Sequence, residues 1–545
     1  MEILTAWNAA SLTGVHPYAQ ALANPPAELL DLTPPPLSSI SSVIEKRKPF
    51  IGASIDRDQL ADSLRQSHER RDAPASALRA IERLREEDCY LIIAGQQPGL
   101  LGGPLYTFYK ILHAIHLSRR LSAETQKTFL PAFWNATEDD DISEIASLYW
   151  LSKEKTLAAY HWGLDKENRR PYFSISKNEL PINDLLDCLR GSLHPTEFVD
   201  TILDKIRSCY DRSDSYPDFF DRLIWMLFPN EGLIIVRPDD PYIRRESRRI
   251  LEREIAEPAH AAQCVEEAGA RLQVQGLTPP IHKRADRTSF FLVEEGRRWP
   301  LFVRDGEFET TNGKRWSRAE LLRKLDEQPE AFSASAVLRP AIQDALLPTM
   351  AAILGPNELA YHFLLKDIYA QHGVPRPCLE RRFGFTLLEG REKKLLERYG
   401  LEPNDLAQHP AALAKRIAQQ ESGRERDAMR RAAEKALIEY FQTLEERARQ
   451  TDPTILKTLE KNHRRIQQEI ENSENLVSRR EAEKNQTLLL QLQSLQCALL
   501  PEGDLQERRL NIFYYLLKYG PSFLTDIQKI SEAAEEGAHC FISAV

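Results

Sequence analysis

An unbroken apolar run at residues 90–94, followed at once by glycine, constrains the fold of this chain more than any other stretch. The run is short and ends at Gly95, which predicts a parallel strand buried on both faces of a sheet. Three glycines between residues 99 and 103 allow a tight loop, and Pro104 is a favourable first residue for a helix. The sequence therefore predicts a strand, a glycine-rich loop and a helix in immediate succession.

A second strand follows this helix. Apolar residues from Leu105 to Ile115 recur every three or four positions, so one face of the helix is apolar. Residues 129–134 predict the next strand, and residues 135–141 predict the loop after it. This β-α-β unit would place two loops, one rich in glycine and glutamine and one acidic, at the same edge of a parallel sheet. Open α/β sheets bind ligands at that edge.

Further strands extend this pattern along the chain. Residues 233–236 and 351–354 are short apolar runs that predict two more buried strands. The second run is followed by a glycine and a proline, which repeats the order of strand, loop and helix, with a helix expected towards Ala370. Residues 289–303 predict a β-hairpin. We interpret the basic residues around it, including Arg287, as its solvated face.

The region from about residue 391 to residue 499 has a different character, because charged residues dominate it and glycine is scarce. Leucines recur there at alternating spacings of three and four, and Pro453 interrupts the pattern between two long segments. This predicts an antiparallel coiled-coil arm. The apolar run at residues 510–517 predicts that the chain then returns to the body.

Composition narrows the class of protein. The 545 residues carry a net charge of -9 with many charges of both signs, which gives no overall attraction to nucleic acid. Seven scattered cysteines without a Cys-x-x-Cys pair argue against a zinc knuckle or a disulfide framework, and a reducing cytosol fits them. The sequence has no leader pattern and no run of about 18 apolar residues. We therefore expect a cytoplasmic protein without a membrane partner.

Four motifs occur in order across nearly the whole chain. They are Gly95-Gln96-Gln97-Pro98-Gly99-Leu100 with Gly103-Pro104-Leu105-Tyr106-Thr107 and Lys110; Phe133-Trp134 with Glu138-Asp139, Asp141 and Glu144; Leu338-Arg339-Pro340 with Gln343-Asp344, Leu347-Pro348-Thr349, Gly355-Pro356 and Glu358; and Gln506-Glu507-Arg508 with Asn511. Together they resemble the motifs of the bacillithiol-biosynthesis family of cysteine-adding enzymes. Any one of them alone would be a weak signal, whereas the four together are specific.

The resemblance implies a Rossmann-like core with connecting inserts, a coiled-coil domain and a homodimer. Combined with the patterns above, it predicts an α/β fold in which a parallel-sheet core carries a long antiparallel α-helical coiled-coil arm. We place the core at residues 1–390, with inserts at about 151–230 and 257–330. The arm then covers residues 391–500, and residues 501–545 return to the core.

The resemblance also implies a reaction, the addition of L-cysteine to the amino group of glucosaminyl-malate to give bacillithiol. We therefore expect a ligase that forms a carbon–nitrogen bond between small molecules, with ATP or ADP as cofactor and Mg²⁺ as an optional one. The alternatives are another Rossmann-like nucleotidyl-transferring enzyme and a non-catalytic, nucleotide-regulated coiled-coil scaffold. Two motifs depart from the family: Thr137-Glu138-Asp139-Asp140-Asp141 stands where the family usually has Gly-Glu-Asp-His-Asp, and Leu354-Gly355-Pro356-Asn357-Glu358 stands where it usually has Gly-Gly-Pro-Gly-Glu. Asp140 replaces a histidine, which removes an imidazole that could act as acid, base or metal ligand, and Asn357 replaces a glycine.

The acidic loop provides the candidate catalytic residues, Glu138, Asp139 and Asp141. Carboxylates concentrated at a strand end attract a substrate ammonium group or a Mg²⁺ ion, and one of them could take a proton from the attacking amine. Asp140 and Glu144 belong to the same cluster. The alternative is helix capping, which could account for two of the five carboxylates.

The glycine-rich loop is the candidate anion site. It lacks the Gly-x-x-x-x-Gly-Lys-Ser/Thr pattern, which excludes a P-loop there. Backbone N–H groups from Gly99 to Gly103, with the side chains of Gln96 and Gln97, could hold a phosphate or a malate carboxylate. The alternative is a tight turn needed only for packing. Lys110, two turns into the helix, either reaches such an anion or is solvated.

The other candidates come from the later motifs. Arg339 suits a substrate carboxylate or phosphate, or a structural salt bridge, and Glu358 suits a substrate ammonium group or a helix cap. The predicted substrate-binding residues are Gln96, Gln97, Gly99, Tyr106, Lys110, Trp134, Arg339, Asn357 and Glu358. The predicted nucleotide-binding residues, which form either a pocket at the base of the arm or a salt-bridge network, are Arg381, Arg382, Gln506, Arg508 and Asn511. No residue is assigned as a metal ligand.

Overall fold

The fold was analysed in a computed structural model of the chain, which describes residues 1–8, 17–165, 167, 169–534 and 538–543. The chain divides into two compact units. The larger unit contains Met1–Leu387 together with Leu505–Val545, and the smaller unit contains Leu388–Asp504. The larger unit is therefore built from two separate stretches of the sequence.

The strands of the described residues form one parallel sheet and several antiparallel ones. In chain order they are β1 (Glu2–Asn8), β2 (Cys89–Gln96), β3 (Thr128–Asn135), β4 (Ser147–Leu151), β5 (Leu157–His161), β6 (Ile234–Val236), β7 (Arg287–Glu294), β8 (Arg297–Arg304), β9 (Glu307–Thr310), β10 (Arg315–Trp316), β11 (Phe332–Ala334), β12 (Thr349–Leu354), β13 (Cys378–Arg381), β14 (Gly384–Leu388) and β15 (His539–Ser543). Strand β1 pairs antiparallel with β15, and the hairpin of β4 and β5 stands apart.

The helices connect these strands and also form most of the smaller unit. They are α1 (Pro17–Ala23), α2 (Ile40–Ser54), α3 (Arg57–Arg70), α4 (Ala75–Arg83), α5 (Leu105–Thr125), α6 (Ile142–Ile145), α7 (Ile182–Ser192), α8 (Val199–Asp211), α9 (Tyr216–Leu227), α10 (Pro241–Ala256), α11 (His260–Val274), α12 (Arg318–Glu327), α13 (Arg339–Leu346), α14 (Pro356–His362), α15 (Lys366–Gln371), α16 (Gly390–Tyr399), α17 (Pro410–Thr451), α18 (Leu456–Leu499), α19 (Gln506–Arg509), α20 (Ile512–Tyr519) and α21 (Ser522–Glu532). None of these described helices has the length and apolar character that a membrane crossing requires.

The parallel sheet is the core of the larger unit, with strand order β13-β12-β2-β3-β6. All of β12 and the first six residues of β2 are buried, as expected for strands covered on both faces. The chain runs outward from β2 through β3 to β6, and later returns to the other side of β2 as β12 and β13. The strand order therefore reverses beside β2, and such a switch point opens a crevice at the carboxyl ends of the strands.

The predicted β-α-β unit is confirmed. Strands β2 and β3 pair in parallel from Cys89 opposite Thr128 to Gln96 opposite Asn135, and α5 packs against both. Because the two strands are parallel and in register, the loops that follow them open at the same edge of the sheet.

One predicted helix is divided. The helix expected from the proline after β12 towards Ala370 is instead the pair α14 and α15. The side chain of Arg376 donates a hydrogen bond of 3.1 Å to the carbonyl oxygen of His362, the last residue of α14. This carbonyl then has a partner outside the helix, and the buried residues 363–365 connect the two helices.

The predicted hairpin is also confirmed, as β7 and β8. It belongs to a five-stranded antiparallel sheet with order β10-β9-β8-β7-β11. Glu295 and Gly296 at its tip both have positive φ angles, 54° and 72°, as a tight hairpin turn requires. Strand β8 begins at Arg297, so its neighbour Arg298 lies next to this turn.

The smaller unit confirms the predicted coiled coil. Helices α17 and α18 pack along each other, and Asp452 caps the short connection between them by accepting a hydrogen bond of 2.9 Å from the Thr454 N–H. The rings of Phe441 and His463 stack across the pair with centroids 4.4 Å apart. Leu492 and Leu495 are buried, as expected for the apolar face of a paired helix.

Candidate active site

A cavity of about 580 Å³ lies at the switch point of the parallel sheet. It opens where β2, β3 and β12 end, and the loops after those strands form much of its wall. Of the predicted site residues, those that line it are Gln96, Gln97, Tyr106, Lys110, Trp134, Glu138, Asp139, Asp141, Arg339, Asn357, Glu358, Arg382 and Arg508. The cavity therefore gathers residues from all four sequence motifs.

The loops after β2 and β3 are joined directly by Gln97. Its side-chain amide donates a hydrogen bond of 3.1 Å to Asp139 Oδ2 and a second hydrogen bond to Glu144 Oε2. The neighbouring Gln96 amide donates to the hydroxyl of Tyr106 at 3.2 Å. The two glutamines thus hold the acidic loop against the start of α5.

The three predicted catalytic carboxylates already have partners within the protein. Glu138 forms an ion pair of 2.5 Å with Arg244 from α10. Asp139 accepts a hydrogen bond of 2.9 Å from the Asp140 N–H. Asp141 caps α6 by accepting a hydrogen bond of 3.0 Å from the Ser143 N–H, which is the capping role considered as the alternative.

Arg298 is a site residue that the sequence reasoning missed. It lies 3.3 Å from Asp139 and 3.2 Å from Asp140, and its Nε donates to Ser333 Oγ at 3.0 Å. The sequence predicted the hairpin that carries Arg298, but the spacing of residues in a hairpin does not show which end approaches a distant loop. Tyr361 and Phe291 are further lining residues that were missed.

Asp140, at the position of the family's histidine, is buried between two arginines. Arg298 lies 3.2 Å from Oδ1, and Arg169 lies 3.6 Å from Oδ2. Burial raises the pKa of this carboxyl, while the charge of Arg298 opposes the shift. Asp140 therefore links the acidic loop to the hairpin sheet, and it lines the cavity.

Glu144 is a cavity carboxylate whose pKa lies near neutral pH. Loss of surrounding solvent, together with the negative charges of Asp139, Asp141 and Glu358, raises its pKa to about 7. The residue remains exposed to the cavity, so a bound substrate can reach it. A group with a pKa near the working pH is suited to general acid–base chemistry.

Lys110 does not match either sequence-based interpretation. Its ammonium group is buried and donates to Gly95 O at 2.8 Å, to Gln96 Oε1 at 2.7 Å and to Glu358 Oε2 at 2.5 Å. Burial lowers the pKa of Lys110, and the charge of Glu358 opposes the shift. Because an ammonium group has three N–H donors, all of them are used within the protein. Lys110 thus connects the ends of β2 and β12, and Glu358 also caps α14 through the Gly355 N–H.

Two of the cations on the other side of the cavity lack a carboxylate partner among the described residues. Arg339 donates only to neutral groups, Gln343 Oε1 and the Tyr361 hydroxyl, both at 3.0 Å. Arg508 is exposed and lines the cavity. Arg382, in contrast, is buried in an ion pair with Glu507, with one contact of 2.9 Å. Arg339 and Arg508 are therefore the cations available to a ligand.

The N–H groups at the two ends of the glycine-rich loop and at the start of α5 are bonded within the protein. Gly99 N–H donates to Gln97 O at 2.9 Å, and Gly103 N–H donates to Leu100 O at 3.0 Å. The N–H of Leu105, at the start of α5, donates to Leu510 O at 2.8 Å. These N–H groups are thus unavailable to a ligand, and Gly99 is not among the residues that line the cavity.

Close packing explains why this loop needs glycine. A Cβ atom on Gly99 would lie 2.8 Å from the Cα of Gly103, and Gly103 has a φ of +77°. Both positions therefore exclude larger residues for structural reasons.

The predicted nucleotide-binding cluster has mainly structural roles. The Asn511 amide donates to the carbonyl oxygens of Leu100, Leu101 and Gly103 at 3.3, 2.9 and 2.6 Å, which anchors the glycine-rich loop. Gln506 pairs with both backbone groups of Leu387 at 2.8 and 3.0 Å.

Arg381 is not among the residues that line the cavity either. It is the last residue of β13. Of the five predicted nucleotide-binding residues, Arg382 and Arg508 line this cavity, and Arg382 is committed to Glu507.

Trp134 contributes an unused donor to the cavity wall. Its ring is buried at the end of β3, and its Nε1–H has no hydrogen-bond partner among the described residues. A buried donor without a partner costs free energy, which a ligand oxygen could recover.

Known families match both units of the chain. Residues 33–383 match the family described as "Bacillithiol biosynthesis BshC, N-terminal Rossmann-like domain", and residues 385–540 match "Bacillithiol biosynthesis BshC, C-terminal coiled-coil domain". The chain belongs to the BshC family. The resemblance and the fold class inferred from the sequence are thereby confirmed.

Relatives named "Putative cysteine ligase BshC" align over most of the chain. The protein of Salinibacter ruber is 31% identical over 87% of this chain and 86% of its own length. The protein of Bacillus licheniformis is 32% identical over 86% of this chain and 88% of its own length. The protein of Geobacillus kaustophilus is 30% identical over 88% of this chain and 89% of its own length. The similarity to BshC proteins thus includes both the sheet core and the helical unit.

Proposed function

We propose that this protein is a cysteine ligase that joins the carboxyl group of L-cysteine to the amino group of glucosaminyl-malate, forming bacillithiol. The family and the names of the relatives support cysteine ligation. The observation that carries the proposal for this chain is the charge separation in its cavity. Glu144, with a pKa of about 7, is on one side, and two cations without carboxylate partners, Arg339 and Arg508, are on the other.

The two sides of the cavity suit the charges of the two substrates. Cysteine has one ammonium group and one carboxylate, and glucosaminyl-malate has an amine and the carboxylates of malate. Arg339 presents a planar guanidinium in a fixed position, which suits a carboxylate. The acidic side attracts the amines and would place the attacking nitrogen near Glu144.

Glu144 acts as the general base in this proposal. The attacking amine must be neutral, so its ammonium form has to lose a proton before the carbon–nitrogen bond forms. Ionised Glu144 accepts that proton, and Gln97 holds the carboxylate in position by a hydrogen bond. This transfers the catalytic role from Glu138, Asp139 and Asp141 to a neighbour in the same loop.

Oxygen atoms of the substrates meet donors on the opposite wall. Arg508 is exposed in the cavity, so its N–H donors are available to a substrate oxygen. Donors that are fixed before the reaction stabilise negative charge as it develops on such an oxygen.

A nucleotide fits the basic side of this cavity, whereas a protein-held Mg²⁺ ion does not fit the acidic side. Arg339 and Arg508 could hold a phosphate group, and a nucleoside triphosphate would activate the cysteine carboxyl by transferring a phosphoryl or nucleotidyl group to it, which the attacking amine then displaces. The described residues contain no group of three or more side chains arranged to hold a metal ion. Glu138 and Asp140 are also neutralised by arginines. We therefore derive no step through a metal.

The test is to incubate the protein with glucosaminyl-malate, L-cysteine and ATP, and to measure bacillithiol by mass and nucleotide hydrolysis together. We expect bacillithiol with equimolar nucleotide consumption. Product without nucleotide consumption would contradict nucleotide activation alone. No product, under conditions in which a BshC relative forms it, would favour the non-catalytic scaffold.

We also propose that the protein is a cytoplasmic homodimer that pairs through the helical unit. Several large apolar side chains are exposed on α17, α18 and their connection, and they are Ile438, Tyr440, Ile455, Ile466, Leu476, Val477 and Leu490. Such side chains favour burial against a second copy. The seven free cysteines suit a reducing compartment. Sedimentation of the protein should give twice the chain mass, and Ile466→Glu should shift it towards the monomer.

A further inference from the structure

A second cavity, of about 300 Å³, lies beside the active-site cavity and is lined by four arginines. Arg169 and Arg298 line both cavities, and Arg287 and Arg297 belong to the second alone. Trp299 and Pro300 form its apolar wall, and Glu167 is the acidic residue that lines it. Four guanidinium groups therefore share one small space.

Arg287 lines this cavity without an ion-pair partner among the described residues, although the charge of Asp140 acts on it from a distance. Among the described residues, no carboxylate lies within salt-bridge distance of it, and its guanidinium makes no hydrogen bond. It is half-buried and lies 5.3 Å from the centre of the Phe291 ring. Burial, with the like charges of Arg169 and Arg298, lowers the pKa of Arg287. An arginine held near other cations without a carboxylate is unfavourable unless an anion joins it.

The neighbouring arginine is fixed in place. The Arg298 guanidinium lies over the same Phe291 ring, 3.9 Å from its centre, and donates to Ser333 and the acidic loop. It therefore contributes positive charge to the second cavity rather than free donors. Arg169 is mostly exposed, and its contact with Asp140 is long, 3.6 Å. Arg287 and Arg169 are the groups positioned to bind a ligand.

We propose that this cavity is a binding site for a polyphosphate group. Guanidinium groups bind phosphate oxygens through paired hydrogen bonds, and several arginines together suit a ligand with more than one negative charge. The volume suits a group of two or three phosphates. Asp140 and Glu167 offset part of the positive charge, which leaves an excess of arginine. The sequence-based view of Arg287 as part of a solvated hairpin face is thereby replaced.

The polyphosphate could be free or could belong to a nucleotide, and two probes of matched charge distinguish these sources. Binding of inorganic tripolyphosphate and of ATP is measured by calorimetry on the full chain, without substrates. ATP binding at least tenfold tighter than tripolyphosphate assigns the site to a nucleotide. Equal or weaker ATP binding assigns it to the free polyphosphate.

The decisive variant is Arg287→Gln. This substitution removes the positive charge and the paired N–H donors of the guanidinium. We expect tripolyphosphate to bind about tenfold to hundredfold more weakly, since a hydrogen bond to a charged group contributes roughly 1.5–3 kcal/mol. Arg284→Gln is the matched control on the same segment, because Arg284 pairs with Asp286 at 2.7 Å and does not line the cavity. The Arg284→Gln control should bind tripolyphosphate with the affinity of the unaltered protein.

Further variants keep the test independent of folding. Arg287→Lys retains the charge and should recover part of the affinity, and Arg169→Gln changes an exposed side chain and should weaken binding severalfold. The proposal is overturned if the unaltered protein does not bind tripolyphosphate, or if the Arg287 and Arg284 variants bind it equally. It is also overturned if Arg339→Gln abolishes binding while Arg287→Gln does not, because the anion then lies in the active-site cavity. None of these outcomes depends on ligase activity.

Discussion

The two loops that follow β2 and β3 start at the same edge of the sheet, yet they have opposite roles. The backbone of the glycine-rich loop is bonded within the protein: Asn511 donates to three of its carbonyl groups, and Leu510 O accepts from the Leu105 N–H at the start of α5. The acidic loop directs side chains into the cavity, where Glu144 has a pKa of about 7. The glycine-rich stretch is therefore mainly a structural support, and only its two glutamines reach the site.

This difference shows that a loop's composition does not establish which of its atoms face a ligand. Glycine allows the close approach of Gly99 to Gly103, and the same compactness removes their N–H groups from the cavity. Variants that affect one loop and leave the other intact therefore separate catalysis from stability.

The largest expected effect is that of Glu144→Gln. Removing the general base should lower kcat by about 10²- to 10⁴-fold, with a smaller change in KM. In the unaltered protein, kcat/KM should rise with pH through about 7, because the base acts when ionised, and the variant should lose this rise. Asp141→Asn is the control, since it removes a charge from the same loop at a capping position. Equal losses in the two variants would refute the role of Glu144.

The next effect concerns the glycine-rich loop. Asn511→Ala removes hydrogen bonds to three buried carbonyl groups, of which Leu100 O keeps the Gly103 N–H, and should lower the free energy of unfolding of the larger unit by about 2–5 kcal/mol, measured in urea. Asn357→Ala, at an exposed cavity residue, should change it by less than about 0.5 kcal/mol. A stable Asn511→Ala protein with impaired ligand binding would instead point to a direct role in the site.

Arg339 allows the basic side of the cavity to be tested. Arg339→Gln should raise KM about tenfold to hundredfold for the substrate whose carboxylate Arg339 binds, because one charge-assisted contact is lost. The KM of Arg339→Lys should lie between those of the unaltered protein and Arg339→Gln, since lysine keeps the positive charge but lacks the planar pair of N–H donors. An unchanged KM in steady-state kinetics, with the fold intact, would assign Arg339 to its contacts with Gln343 and Tyr361 alone.

The smallest effect is on the pH dependence of stability. The folded pKa of Glu144, about 7, is above the usual value for an unfolded glutamate, so the protonated side chain favours the folded state. This contribution is complete below about pH 4 and is lost as the pH rises through 7. Glu144→Gln should therefore lose less stability than the unaltered protein between pH 5 and pH 8, in urea titrations at each pH. A parallel decline in both proteins would show that the carboxyl is fully hydrated.

Much of the fold could be predicted from local patterns. Strands β2, β3 and β12 are buried on both faces, and their sequences therefore contain continuous apolar runs. The interruption of the coiled coil at Pro453 was visible for a similar reason, since proline lacks the N–H that a helix interior needs. The division between α14 and α15 was not visible, because the connecting residues 363–365 are apolar and contain neither glycine nor proline to mark a break.

The site was predictable in position but not in its pairings. The acidic loop was placed correctly at a strand end, whereas its partner Arg298 lies 158 residues from Asp140 in the sequence. Lys110 was expected to be solvated or to bind an anion, and the acceptors that occupy it include Glu358, which is 248 residues away. Such pairings depend on the order of strands in the sheet, which spacing along the chain does not reveal.

The anchoring of Leu100 by Asn511 spans 411 positions and has a consequence for synthesis. At about 5–20 residues per second, the ribosome would need roughly 20 to 80 s to add the anchor after the loop has been made. During that interval the nascent loop has to rely on water or chaperones for its carbonyl groups. The pocket that the loop supports can therefore mature only when translation is almost complete.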